Sequence, residues 1–436
     1  KSNIGHLEAG AGIAGVIKTA LALAHQEVPA SLHFQEPNPK IDLERLRLQV
    51  PRQPEPWPRL EGQGRVAGIN SFGFGGTNAH VVLSEAPSQT TFAIKPEPKG
   101  LAQLVPISAR SPEALRALVE RYREQVAADG EDDLGDLAYS AAVRRSHHPL
   151  RFSVVAENRE QLIERLGAFA SNKECPGVAS GRALVENEPS LAFVFTGMGP
   201  QWWAMGRQLL EDESVFREAL AECEEVFRSV AGWSLIDQWT ADEAQSRMHE
   251  TQVAQPALFA FQVALAALWR SWGVEPEAVV GHSVGEAAAA YVAGALTLPD
   301  AARVIFHRSR LQHTVRGQGG MLAVGLPVEE IRNLLDGQRG QADLAAVNGP
   351  RMITLSGTTE VLEAIARALE PSGTFCRPLR VEVPYHGPQM QSLKQPLLQA
   401  LSGMKSVHPT TALFSTVTGA EVNGTVLDGD YWYRNL

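Results

Sequence analysis

The sequence predicts an α/β protein made of consecutive segments, and three observations carry that prediction. The apolar run Ala278-Val279-Val280, the turn Gly281-His282-Ser283-Val284-Gly285 and the alanine-rich stretch Glu286 to Ala295 read as strand, sharp turn and helix. Between Met321 and Val381 the pattern reads strand, helix, strand, strand, helix, strand. Ahead of both, a smaller unit from about Leu101 to Glu188 alternates strands and helices of its own.

Residues 1–86 form the first segment. After Lys1-Ser2-Asn3-Ile4-Gly5-His6, a helical stretch from Glu8 to Ala24 is rich in Ala and Gly, which suits very close packing against a neighbour. The prolines between Pro29 and Pro58 exclude one regular element there. The run Ile69-Asn70-Ser71-Phe72-Gly73-Phe74-Gly75-Gly76-Thr77-Asn78-Ala79-His80 reads as a tight glycine loop feeding the strand Val81-Val82-Leu83.

The second segment covers residues 87–190. Pro87 to Gly100 is poor in apolar residues and reads as a linker. Leu104-Val105-Pro106-Ile107-Ser108 is a strand. Ser111 followed by Pro112 marks a helix start, and Leu115, Leu118, Val119 and Tyr122 recur at helical spacing. Phe152 to Ala156 is a second strand and Glu160 to Phe169 a second helix. His147 and His148 are adjacent and lack further ligands, so they read as a solvated or structural pair.

The third segment, residues 191–436, opens on the strand Phe193-Val194-Phe195 and the run Thr196-Gly197-Met198-Gly199-Pro200-Gln201-Trp202-Trp203. A helix from Pro256 to Trp269 precedes the turn at Ser283. The stretch at about 321–381 has strands at Leu322–Gly325, Leu344–Val347, Ile353–Ser356 and Cys376–Leu379, with helices at Val328–Leu335 and Glu360–Leu369. That order is ferredoxin-like and reads as a subdomain inserted into the larger α/β domain.

Composition narrows the function. Hydrophobic residues make up 44% and charged residues 20% of the 436, as in folded globular proteins. The net charge of −10 and the lack of a basic run argue against a nucleic-acid partner. The longest membrane-span candidate is Ile13 to Ala24, too short and interrupted by Lys18. Cys175, Cys223 and Cys376 are scattered, which fits a reducing compartment without a disulfide frame. The sequence starts at Lys1 without a methionine and shows no signal peptide, and both ends read as cuts through folded domains. The expectation is a piece of a larger cytoplasmic chain.

The chemistry centres on Ser283. A G-x-S-x-G bend between strand and helix is a nucleophile elbow: its glycines leave room where a Cβ would clash, and its serine stands clear of the sheet. The following helix offers free N–H groups and its positive end to an oxyanion. A hydroxyl needs a base within hydrogen-bond reach. The candidates after the elbow are His307, His313, His386 and His408. His386 sits in Val383-Pro384-Tyr385-His386-Gly387, where the insert returns to the main domain. Position alone leaves catalytic base and surface-loop histidine equally open. Arg308, beside Arg303 and Arg310, reads on its own as a surface helix arginine, and His282 reads as structural. No residue set reads as a metal site.

Segment three resembles the acyltransferase domain of modular type I polyketide synthases and is similar to the malonyl transacylases of fatty-acid synthesis. Seven motifs in order carry the resemblance: TGMGPQW, the run from Thr251 to Gln262, GHSVGE, HRSRLQ from His307, GGMLAV, AAVNGP and VPYHG. Segment one resembles the C-terminal end of a ketosynthase through KSNIGHLEAGAG and NSFGFGGTNAHVVL, and segment two the linker domain between the two.

The resemblance implies an α/β-hydrolase-like core with an inserted ferredoxin-like subdomain, after an α/β linker domain and a thiolase-like remnant. It implies Ser283 as nucleophile and His386 as general base, the histidine oriented by a backbone carbonyl. It implies an oxyanion hole from the N–H groups of Met198 (Gln is commoner there) and Val284. Arg308 matches the arginine that grips the free carboxylate of the extender unit, a geometry that suits a guanidinium fork. Gln255, Asn348 and Tyr385 match pocket-lining positions. In the remnant, Lys1 and His6 match catalytic residues and Phe74 a gating position, but the ketosynthase cysteine lies upstream, so no condensation is expected.

The implied reaction moves an extender group from a coenzyme A thioester, through an acyl-serine, to the phosphopantetheine of an acyl carrier protein. No permanently bound cofactor is implied. Other synthase domains are implied partners, as is a homodimer through an intact ketosynthase. The Val-Pro-Tyr-His run matches neither the HAFH pattern of malonyl nor the YASH pattern of methylmalonyl enzymes. Val284 lacks the Gln often seen with methylmalonyl, so malonyl-CoA is favoured. Two alternatives stay open. An esterase of the α/β-hydrolase type would need an acid before His386, and Asp336 and Asp343 both fall in the insert. A family transferase also continues past Asn435-Leu436, so a structural piece with little or no turnover is the other.

Overall fold

The structure is a computed structural model that describes residues 2–59, 64–86, 102–128, 133–183, 190–338, 340–424 and 426–436. It divides into two compact units, Lys1–Leu101 and Ala102–Leu436.

In the first unit the helix Ala11–His25 ends at Gln26, which takes a left-handed φ of 59°. It lies on an antiparallel hairpin of Val66–Phe72 with Asn78–Ser84. The close approach expected from its small residues is real: a Cβ on Gly15 would stand 3.0 Å from Ile69 Cγ2, and one on Gly12 3.2 Å from Ser71 Oγ. One expectation is corrected here. Ile69–Phe72 and Asn78–His80 are strand, not loop, and the turn is only Gly73–Thr77, closed by Gly73 N–H to the Thr77 carbonyl at 2.7 Å. Ala67, Ile69 and Ser71 point inward at period two, a signal the glycines masked. The proline-rich stretch contributes only the short pair Glu27–Val28 and Glu55–Pro56. His6 is exposed, its Nδ1 accepting from the Glu8 N–H at 2.9 Å, and Phe74 is fully exposed in the turn. Lys1 and the linker Pro87–Gly100 lie outside the described residues.

The second unit holds three apolar cores. The first belongs to the antiparallel sheet Gln103–Ala109, Leu150–Ala156 and Val178–Arg182, covered by the helices Pro112–Ala128, Leu134–Val143 and Arg159–Ala170. Ser111 caps the first helix as expected, its Oγ accepting from Ala114 N–H at 3.2 Å. Leu134–Val143 and Val178–Arg182 were not legible, the latter because its residues are short, mostly exposed and without apolar alternation.

The second core surrounds the main sheet. Ala192–Phe195, Ala278–Gly281 and Ala412–Ser415 run parallel, and Ala420–Glu421 pairs antiparallel at one edge. The helix expected from Pro256 begins five residues earlier and spans Thr251–Ser271. Pro256 gives up one helical bond, to the Gln252 carbonyl, but the burial of most of the helix outweighs that loss. This also corrects the membrane-span reading. Thr251–Ser271 is long and apolar enough to cross a membrane, yet 78% of its apolar window is buried inside the protein's own core.

The third core belongs to the insert, whose antiparallel strands lie in the order Ala342–Gly349, Met352–Gly357, Gly320–Val324, Cys376–Pro378. Its helices Val328–Leu335 and Thr359–Leu369 complete the ferredoxin-like pattern.

The two glycines of the elbow are demanded by backbone proximity. A Cβ on Gly281 would lie 2.3 Å from Glu286 Cα, and one on Gly285 2.2 Å from the Phe195 carbonyl oxygen. Backbone cannot swing aside like a flexible side chain. Gly285→Ala is therefore expected to cost about 3 kcal/mol by forcing the strand Ala192–Phe195 and the helix Gly285–Val292 apart, read as a lower denaturant midpoint. An unchanged midpoint contradicts this packing.

Candidate active site

Ser283 follows the central strand Ala278–Gly281 and precedes the helix Gly285–Val292. Its φ is +53°, a strained backbone for a residue with a Cβ. His386 sits in the loop after the insert, also strained at φ +59°. Two such positions facing one another mark a geometry that the surrounding packing enforces, at a cost of about 1–3 kcal/mol each.

The two side chains meet: Ser283 Oγ lies 2.9 Å from His386 Nε2. Both remain partly accessible. Behind them Arg308, on the helix Leu298–His313, is 1% exposed. Its Nη2 donates to Ser283 Oγ at 3.0 Å, its Nη1 to Gln255 Oε1 at 2.7 Å and to Gln312 Oε1 at 3.1 Å. Its Nε donates to Asn435 Oδ1 at 3.1 Å. The guanidinium is thus held rigidly by neutral oxygens, and no carboxylate is bonded to it among the described residues. Burial pulls Arg308 down to about 10, against the opposing pull of Tyr385 and Glu286, so it stays charged at neutral pH. Burial, then the Arg308 charge, then His282 push His386 down to about 3. The imidazole is neutral and ready to accept a proton.

Further hydrogen bonds behind the serine fix the elbow. Asn435 Nδ2 donates to the Ser283 carbonyl at 3.2 Å and to Glu286 Oε2 at 2.7 Å. Tyr431 donates to the buried Glu286 and accepts from the Ser415 hydroxyl, the latter at 2.7 Å. Sequence reasoning missed Gln312, Asn435, Tyr431 and Ser415. The signal for Glu286 was available: a lone carboxylate opening an alanine-rich buried helix needs partners.

The N–H groups of Val284 and Met198 make no hydrogen bond to any described residue. Val284 opens the helix after the serine, and Gly197, next to Met198, packs against the elbow, since a Cβ there would lie 3.1 Å from the His282 carbonyl oxygen. Two free donors therefore flank the nucleophile's strand end. Tyr385 is buried, 5% exposed, and Gln255 is wholly buried. Asn348 is not brought into this network; it is exposed on the insert sheet and bonds Thr354 Oγ1 at 3.2 Å. His282 is exposed beside the serine. Neither His307 nor His408 is hydrogen-bonded to Ser283, whose hydroxyl meets only His386 and Arg308 among the described residues. Chemically, the cluster is a nucleophile–base pair with a fixed buried cation and free backbone donors, the parts needed for acyl transfer from an acid-bearing thioester or ester.

Comparison with known proteins agrees. The chain belongs to the acyl transferase domain family over residues 192–436. Residues 37–155 match the ketoacyl-synthetase C-terminal extension and residues 1–35 the C-terminal domain of β-ketoacyl synthase. Among curated relatives, the chain is 41% identical over its whole length to erythronolide synthase EryA3 of Saccharopolyspora erythraea, and spans 14% of that protein. It is 38% identical over its whole length to the mycoketide-CoA synthase of Mycobacterium tuberculosis, and spans 10% of it. Among solved structures, the acyltransferase domain from module 8 of the salinomycin polyketide synthase aligns with a TM-score of 0.71 and 37% identity, over 77% of this chain and 79% of that one. The acyl transferase domain of ZmaA aligns with a TM-score of 0.68 and 27% identity, over 77% of each chain. The chain thus carries an acyltransferase domain of the modular polyketide synthase type, with ketosynthase C-terminal sequence ahead of it.

Proposed function

We propose that this chain moves a malonyl group from coenzyme A to an acyl carrier protein through an acyl ester on Ser283. The observation that carries the reading is that one hydroxyl is shared between the neutral His386 and the buried Arg308. Ser283 Oγ attacks the thioester carbonyl as its proton passes to His386 Nε2. The oxyanion is held by the Met198 and Val284 N–H groups. The C–S bond breaks, and the imidazolium returns its proton to the departing thiolate. The phosphopantetheine thiol of a carrier protein then attacks the ester by the same route reversed. Arg308 pairs with the free carboxylate of the extender unit and sets the carbonyl over the serine.

Malonyl rather than methylmalonyl fits Tyr385, a bulky ring tied down beside Arg308 and Gln255, which leaves little room for an α-branch. The carrier protein and the other domains of a synthase are the proposed partners, with a homodimer possible through an intact ketosynthase. A simple esterase fits less well, because the described residues place no carboxylate on His386 and an esterase has no use for a buried cation.

The test mixes the chain with equal malonyl- and methylmalonyl-CoA and locates the adduct by peptide mass spectrometry, then adds a carrier protein. A malonyl ester on Ser283 in at least tenfold excess, discharged onto the carrier, is expected. Acyl groups on any other residue, or hydrolysis outrunning transfer, contradict the reading. Methylmalonyl excess overturns the extender choice alone.

A further inference from the structure

We propose that Glu382 is a positioning residue that holds His386 against Ser283, acting through Thr251 and Tyr385; the proposal rests on the acyl-transfer reading above. The loop bearing His386 carries a positive φ at the histidine itself, so something must hold it. Among the described residues its backbone is tied to other segments at two points, Leu379 N–H to the Met321 carbonyl at 2.9 Å and Gly317 N–H to the Glu382 carbonyl at 2.8 Å, both ahead of the histidine. The remaining ties run through side chains.

Glu382 Oε1 accepts the Thr251 N–H at 2.6 Å and the Thr251 hydroxyl at 2.7 Å. It also lies 3.2 Å from His313 Nδ1. Arg316 donates to the other nitrogen of that ring, so Nδ1 carries the proton and donates to Glu382. The Thr251 hydroxyl proton is committed to Glu382. Tyr385 must therefore be the donor in its 2.6 Å contact with Thr251 Oγ1. A continuous chain results: carboxylate, threonine hydroxyl, tyrosine hydroxyl, and then the neighbouring His386.

The placement of these groups gives the chain its leverage. Thr251 is the first residue of the helix that carries Gln255 one turn later. Glu250 supplies no side-chain cap to that helix, and Glu382 satisfies its orphan N–H from 131 residues away. His313 is the last residue of the helix that carries Arg308. One carboxylate thus joins the three elements that bear Gln255, Arg308 and His386. Burial alone would raise the Glu382 carboxyl, but the bonds from Thr251 and His313 outweigh it and hold the group below the usual carboxylate range. Glu382 is not hydrogen-bonded to Ser283, its carboxylate going to Thr251 and His313, so its role is to place the base and not to exchange protons with substrate.

The test measures single-turnover acylation of Ser283 by malonyl-CoA in this chain. Glu382→Ala is expected to slow acylation about 10- to 100-fold with KM changed less than about threefold. Glu382→Gln, whose amide oxygen still accepts from Thr251, recovers most of that loss. Tyr385→Phe, which removes only the hydroxyl link, slows acylation about fivefold, and it decides the matter where Glu382→Ala does not fold. In a His386→Ala background, Glu382→Ala has no further effect, because its influence travels through the imidazole. A Glu382→Ala rate within twofold of the parent, or an equal loss in the His386→Ala background, overturns the proposal. If the parent chain forms no ester on Ser283, the functional reading fails on its own. Positioning is then decided by a crystal structure of Tyr385→Phe: a Ser283–His386 separation beyond about 3.5 Å supports it, and an unchanged one refutes it.

Discussion

Replacing His386 with alanine is expected to lower the proposed acylation of Ser283 about 10³-fold, with little change in KM for the acyl donor. General-base assistance contributes about 10²- to 10⁴-fold in comparable sites. His386 is the sole described side-chain base within reach of Ser283 Oγ, at 2.9 Å. Binding should survive, because Arg308, Gln255 and the free N–H groups of Met198 and Val284 are untouched. Ser283→Ala marks the floor, with no ester at all. The same geometry fixes the pH response. His386 is pushed down to about 3 from 6.5 by burial and by Arg308, so the parent's acylation rate does not fall as pH drops through 6.5. Stability moves the other way. Between 6.5 and about 3 the unfolded chain binds a proton that the native ring refuses, so stability is lost as pH falls across that window. His386→Phe should flatten that part of the stability profile while abolishing fast acylation. A loss of less than tenfold in His386→Ala would mean that another group takes the serine's proton.

Much of this site was legible because its parts are local. The elbow lies within five consecutive residues, and the glycines that a bend of this kind requires are now seen to face backbone at 2.2–2.3 Å. The βαββαβ order of the insert was legible for the same reason, since each strand and helix carries its own periodicity. Arg308 was different. Beside Arg303 and Arg310 it resembled a surface residue, and only the resemblance to a family gave it a role. Its burial depends on Gln255 and Asn435, 53 and 127 residues distant, and no local pattern encodes such partners. Asn435, Tyr431 and Ser415 were invisible for that reason too. The hairpin Val66–Phe72 with Asn78–Ser84 failed in another way: glycine-rich turn chemistry was read too widely, and the alternation on either side was overlooked.

Arg308→Ala is expected to remove the preference for an acid-bearing donor, the second large effect. Acylation by malonyl-CoA should fall about 10³-fold in kcat/KM, while acylation by acetyl-CoA holds or rises. Two physical terms combine. In the proposed reaction a malonyl carboxylate would lose the buried guanidinium of Arg308, and an uncompensated buried charge costs about 3–5 kcal/mol. The second term is the coupling of Arg308 to the base. Its positive charge holds the imidazole's proton affinity down. A carboxylate docked on the guanidinium cancels that field, so His386 becomes a stronger base when an acid substrate is bound. Acetyl-CoA leaves the charge uncancelled and meets a weaker base. Truncation lifts the restraint for every donor, which is why the acetyl rate does not fall with the malonyl rate. Arg308→Lys should not rescue the preference, because an ammonium cannot reach Gln255, Asn435 and Ser283 at once as the fork does. The removal also leaves the side-chain oxygens of Gln255 and Asn435 short of a donor, while Gln312 Oε1 keeps Gln255 Nε2 at 2.7 Å, so thermal unfolding should be measured alongside, and rates compared well below the transition. A parallel fall for both donors would show that Arg308 shapes the site without reading the carboxylate.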